Sequence, residues 1–130
     1  MQGKVTVVDA NVLLRYLLKD DEGLYKKAES FFREVFTGRK VAYILQAVVA
    51  EVVYVFGKVY KVPKRGVSET LLELLSRRGI RVQDGKVTLK ALCLYGEKNL
   101  DFVDCLICAY GGNIDVVSFD KGVMRCLEKG

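Results

Sequence analysis

The sequence predicts an α/β fold in which a parallel sheet is covered by helices on both faces. Three observations predict it. Short β-branched runs alternate with longer helical patterns along the whole chain. Those runs are apolar throughout instead of alternating, as expected of strands buried from both sides. At 130 residues, 51% hydrophobic and 28% charged, the chain is long enough and apolar enough for one domain, 1–130, with a real core.

The elements follow in order. Residues 4–8, KVTVV, read as a buried strand that ends at Asp9. Residues 11–18 are helical, and the polar cluster 19–23 breaks the pattern. Leu24, Ala28, Phe31, Phe32 and Val35 recur at helical spacing with charges opposite, until Thr37-Gly38 ends the helix. Residues 41–45 give a second buried strand. Residues 47–60 are helical despite their valines, whose propensity is weak. Pro63 and Gly66 mark a turn. Leu71, Leu72, Leu74 and Leu75 form the next amphipathic helix, closed by Gly79. A short strand at 80–82, a helix at 86–97 and a nearly all-apolar helix at 101–110 come next, stopped by Gly111-Gly112. Residues 115–119, DVVSF, predict the last strand, and a final helix starts near 121.

Four carboxylates stand alone inside apolar runs: Asp9 in VVDANVLL, Glu51 in AVVAEVVYVF, Asp104 in FVDCLICAY and Asp120 in DVVSFD. A carboxylate taken out of water needs a partner, a proton or a metal. The chain has no histidine, so no imidazole can serve. Convergence around a hard divalent cation, which prefers oxygen ligands, is the economical reading. The carboxyl edge of a parallel sheet is where such folds bind ligands, and Asp9 and Asp120 fall at that edge. Asp101 lies three residues before Asp104, hence on the same helix face. Plainer roles stand beside these. Asp9, Asp101 and Asp120 are each placed to cap a helix. Glu51 could pair with Arg15 or a lysine, and Asn11 could hydrogen-bond Asp9.

The formal net charge is +5, and clustering the acids would leave the remaining surface more basic still. That suits a polyanion held by cations. Lys58, Tyr60, Lys61, Lys64 and Arg65 join positive charge to an aromatic, a combination suited to single-stranded RNA. They equally suit a solvated helix end. Lys121 and Arg125 could reach phosphate or simply face solvent. No apolar stretch is long enough to span a bilayer, and no secretory pattern opens the chain, so a cytoplasmic place away from membranes is expected. Cys105-x-x-Cys108 could be a redox pair or half a zinc site, but no second close pair or histidine completes it. Cys93, Cys105, Cys108 and Cys126 therefore read as small buried hydrophobes.

The segments VVDANVLLRYLL, AVVAEVVYVF, LDFVDCLICAYG and DVVSFDKG, in that order, resemble those of PIN-domain ribonucleases, in particular VapC-type toxins of toxin–antitoxin systems. Asp9, Asn11, Glu51, Asp104, Ser118 and Asp120 match the family pattern, and Asp101 matches an acid that some members carry. Cys108 departs from it, standing where a small residue is usual. The resemblance implies a PIN-like three-layer sandwich, with a central parallel sheet of four to five strands and helices on both faces. It implies endoribonuclease activity, hydrolysing phosphodiester bonds by a two-metal mechanism. Asp9, Glu51, Asp104 and Asp120 would be catalytic, and with Asp101 would bind one or two Mg²⁺ or Mn²⁺ ions. Asn11 and Ser118 would support them, and Arg15, Lys58, Lys61, Lys64, Arg65 and Lys121 would bind RNA. A cognate antitoxin and a homodimer are the partners implied. Two other classes compete: an inactive PIN-like module that binds RNA or protein, and a Mg²⁺-binding receiver-like signalling domain. The receiver needs an acid ending its middle strand, where this chain has Leu45-Gln46.

Overall fold

The computed structural model of the chain describes residues 3–129. They divide into two compact units, residues 3–52 with Glu73–Gln83, and Val53–Leu72 with residues 84–129.

The first unit holds the sheet. Strands β1 (Lys4–Val7), β2 (Lys40–Ile44) and β3 (Ile80–Val82) run parallel in the order β1-β2-β3. Val5 faces Val41, and Ala42 faces Ile80. Val8 N–H donates to the Tyr43 carbonyl at 3.1 Å, which carries the pairing one residue past β1 and delivers Asp9 at the carboxyl edge. Helix α1 (Ala10–Leu18) follows directly and buries Ala10, Leu13 and Leu14. Helix α2 (Glu22–Phe36) starts where the Asp21 carboxylate accepts from Leu24 N–H at 2.9 Å, satisfying one of the free amides of its first turn. Its predicted stripe is real: Ala28, Phe32 and Val35 are buried, and Phe32 packs 4.6 Å from the Tyr16 ring of α1. Helix α3 (Gln46–Tyr54) leaves β2, and Gln46 N–H is held at 2.9 Å by the Gln83 side chain just beyond β3.

Gly79 leads into β3 with φ +88°. A Cβ there would meet the Val35 carbonyl oxygen at 2.6 Å. Gly79→Ala is therefore expected to cost about 1–3 kcal/mol through left-handed strain and displacement of α2. The urea midpoint measures it, and a midpoint equal to that of the wild type would show that the turn relaxes freely.

The second unit is helical. The chain passes from α3 through a π-helical segment (Val55–Val59) to α4 (Lys64–Leu75), then α5 (Gly85–Glu97), α6 (Phe102–Tyr110) and α7 (Lys121–Lys129). Ala91, Leu92 and Tyr95 of α5 are buried, as are Phe102, Cys105 and Ala109 of α6 and Val123 of α7. A disulfide, Cys108–Cys126, ties α6 to α7.

Four expectations need correcting. The sheet has three strands among the described residues, not four to five. Residues 115–119 join no strand, and Val117 and Phe119 are 90% and 99% exposed. Valine and phenylalanine fit a half-buried pleated surface, but only a strand edge that receives them makes a strand. Gly66 lies inside α4, not at a turn; the helix starts right after Pro63, whose carbonyl accepts from Val67 N–H. The cysteines are not all free hydrophobes: Cys108 is bridged, Cys105 is a buried free thiol and Cys93 is exposed.

Candidate active site

The lone acids do not lie in apolar surroundings. Asp9, Glu51, Asp101 and Asp120 are exposed and Asp104 is half-buried. The 3.6-residue period explains this. In α3, Val49, Val52 and Val53 are buried while Ala47, Glu51 and Tyr54 face solvent. In α6, Phe102, Cys105, Leu106 and Ala109 are buried while Val103 is exposed. A single acid within an apolar run can thus occupy the solvent stripe, where ionisation carries little desolvation cost.

In the first unit, Asp9 caps α1: its Oδ1 accepts from the Asn11 backbone amide at 3.2 Å. The Asn11 contact to Asp9 is made by backbone, and the Asn11 side chain instead accepts from Arg15 Nε at 3.2 Å. Arg15 also pairs with Asp20 at 2.7 Å, so its charge is engaged locally and not with Glu51. A cavity of about 330 Å³ adjoins Asp9, walled mainly by apolar side chains including Val12, Leu24 and Phe31, with Lys27 at its margin. Glu51 stands on the open face of α3.

In the second unit, Asp120 caps α7, its Oδ1 accepting from Val123 N–H at 2.9 Å. Ser118 Oγ accepts from the Asp120 backbone amide at 3.1 Å, shaping the turn that presents the acid. Each cap uses one carboxylate oxygen and leaves lone pairs for other ligands. Asp101 holds the N-cap position of α6 but makes no capping bond with its side chain. Asp104 follows one turn later. Its carboxyl pKa is raised, first by partial burial and then by the negative charges of Asp120 and Asp101. These three acids therefore feel one another, and a cation would relieve that repulsion.

All five acids offer hard oxygen donors, which fit Mg²⁺ or Mn²⁺. Among the described residues, no group of three or more Cys, Asp or Glu side chains is gathered closely enough to hold a metal ion. Of the basic residues, Lys58, Lys61, Arg65 and Lys121 are exposed. Lys64 is half-buried, donating to the Leu100 carbonyl with its ammonium 3.9 Å from the Tyr95 ring centroid.

Sequence reasoning did not find the Lys64 cage, the Arg15–Asp20 pair or the disulfide. Arg15 and Asp20 are five apart across a helix end, and no local pattern announces that pairing. No helix among the described residues is long and apolar enough to cross a membrane. A family model described as the PIN domain matches residues 6–126, nearly the whole chain. No curated protein and no solved structure gives a significant match.

Proposed function

The chain belongs to the PIN-domain family, and from that premise we propose that it is a metal-dependent endoribonuclease, the toxin of a toxin–antitoxin pair. PIN domains are generally nucleases and typically use divalent metal ions. The observation that carries the reading is Asp104, whose proton affinity is raised first by partial burial and then by the like charges of Asp120 and Asp101. Acids that repel one another suit a cation site.

In this reading Asp104 and Asp120, with Asp101 beside Asp104, are the ion's candidate ligands in the second unit, and Asp9 and Glu51 are those of the first. When bound, Mg²⁺ or Mn²⁺ offsets the negative charge that develops on the phosphate oxygens and acidifies water. Water forms a new bond to phosphorus as one P–O ester bond breaks. The proton that water loses passes to a carboxylate, since the chain has no histidine, and the departing ester oxygen takes up a proton from solvent. Ser118 holds the turn before Asp120, and Asn11 with Asp9 sets the start of α1. Exposed Lys58, Lys61, Arg65 and Lys121 bind RNA phosphates.

Ile114, Val117, Phe119 and Met124 are large apolar side chains left exposed on the second unit. Exposed apolar surface of this kind supports a protein partner, an antitoxin or a second copy of the chain.

The test is cleavage of mixed RNAs with Mg²⁺, Mn²⁺ or EDTA. Cleavage is expected with either metal and not with EDTA. Saturating Mn²⁺, at about a hundred times its dissociation constant, is expected to add about 2–3 kcal/mol of stability, seen as a higher melting temperature. RNA cleavage that persists in EDTA would defeat this reading. An inactive binding module would show neither cleavage nor the Mn²⁺ shift.

A further inference from the structure

The turn that leads into α6 is held from outside that helix. Asp9, Asp21 and Asp120 each use a carboxylate oxygen to cap the helix they precede. Asp101 stands at the equivalent position, with extended backbone at φ −68° and ψ 160°, and its side chain caps nothing. The residue before it is gripped instead. The Leu100 carbonyl accepts from the Lys64 ammonium, which reaches it from the first residue of α4. The same carbonyl lies 3.9 Å from Cys105 Sγ. The ammonium sits over the Tyr95 ring, and that ring meets Phe102, the first residue of α6, edge-on at 6.3 Å. The Tyr95 hydroxyl in turn lies against Gly57 of the π-helical segment, where a Cβ would come within 3.1 Å of it.

A carbonyl, an aromatic face and a partly buried ammonium thus form one cage at the root of α6. The arrangement keeps a charge out of water, which lowers the Lys64 pKa through burial. An apolar side chain would fill the same space without that cost. The ammonium adds two things an apolar side chain lacks: a donor for the Leu100 carbonyl, and a positive charge close enough to Asp101 to interact with it.

We propose that Lys64 is a positioning residue: its hydrogen bond to the Leu100 carbonyl across the Tyr95 ring fixes the turn that carries Asp101, and Asp104 one helical turn further, the two acids that this helix offers to a cation. This rests on the nuclease reading for its kinetic consequence, although the clamp itself is a feature of the second unit. It gives Lys64 a different role from that of the exposed lysines, which contact substrate.

The experiment compares the full-length wild type with Lys64→Met and Lys64→Arg. Methionine keeps the length and loses donor and charge; arginine keeps both and can lie over an aromatic ring. In Lys64→Met, kcat for Mn²⁺-dependent RNA cleavage is expected to fall about tenfold with KM for RNA within twofold. Mn²⁺ affinity by calorimetry is expected to weaken by a similar factor. The Cys105 amide, which donates to the Asp101 carbonyl at 3.0 Å, is expected to exchange with solvent about tenfold faster. Lys64→Arg is expected to recover all three to within about threefold. A rise in KM alone would overturn the proposal and make Lys64 a substrate contact. Unchanged Cys105 exchange and Mn²⁺ affinity in Lys64→Met would also overturn it, as would failure of Lys64→Arg to recover either. A wild type that cleaves no RNA, with Lys64→Met still losing amide protection and Mn²⁺ affinity, would sink the nuclease reading and leave the clamp standing.

Discussion

Asp104→Asn is expected to reduce Mn²⁺-dependent RNA cleavage by at least about a hundredfold while making the metal-free protein slightly more stable. The two effects share one cause. Burial and the charges of Asp120 and Asp101 raise the Asp104 pKa in the folded state. The folded protein then binds the Asp104 proton more readily than the unfolded chain does. Stability rises as pH falls through the raised value, and the gain is complete below the unfolded value of about 4. Above the raised value the full penalty is present. Asparagine is neutral at every pH, so the penalty disappears. In EDTA at pH 7 the variant is expected to melt about 1–3 °C above the wild type, with the gap narrowing as the solution is acidified through the raised value and closed below about pH 4. Because Asp104 is only partly buried, solvent screening keeps the effect small. Added Mn²⁺ is expected to reverse the order, stabilising the wild type more than the variant. Melting curves in EDTA and in Mn²⁺, beside single-turnover cleavage, measure all of this. Full activity in Asp104→Asn would remove the acid from the mechanism.

The second large effect concerns the bridge between α6 and α7. Cys108 and Cys126 are separated by 18 residues, and their Cα atoms are 6.1 Å apart. Closing a loop of that size restricts the unfolded chain and is worth about 3 kcal/mol. Replacing both cysteines by serine is expected to lower the melting temperature by about 10 °C. A thiol reductant is expected to bring the wild type to the same value and to leave the double variant unmoved. Thiol titration of the unfolded, unreduced chain should find Cys93 and Cys105 alone reactive. Cys105 is a poor thiolate in the folded protein, because burial pushes its pKa up to about 11, so native protein should react first at Cys93. Four reactive thiols under denaturing, non-reducing conditions would show that the bridge does not form. The loop it closes contains Ser118 and Asp120, so its loss bears on the candidate site as well as on stability.

Much of the fold is legible in the residues because helices and strands announce themselves locally. The strand at 80–82 is found where its sequence places it, although it has only three residues. The α2 stripe of Ala28, Phe32 and Val35 reads directly as a buried face. Gly79 marks its turn, because a residue at φ +88° pressed against Val35 must be glycine. Residues 115–119 mislead for a physical reason: β-branched composition records what a segment could pair with, not whether an edge accepts it. The acids mislead similarly. Their apolar neighbours in sequence suggest burial, whereas the helical period turns Glu51 toward solvent.

By itself, the sequence determined the α/β alternation, the parallel strands that the structure contains, the PIN-domain membership and which acids are candidates for the metal, since these depend on periods and motifs a few residues long. Only the tertiary structure decided that Lys64 is caged over Tyr95, that Arg15 is engaged by Asp20, that Cys126 finds Cys108 instead of remaining free, and that Asp104 titrates in the field of Asp101 and Asp120. Those outcomes depend on which side chains the folded backbone brings within a few ångströms of one another, and spacing along the chain does not encode that distance.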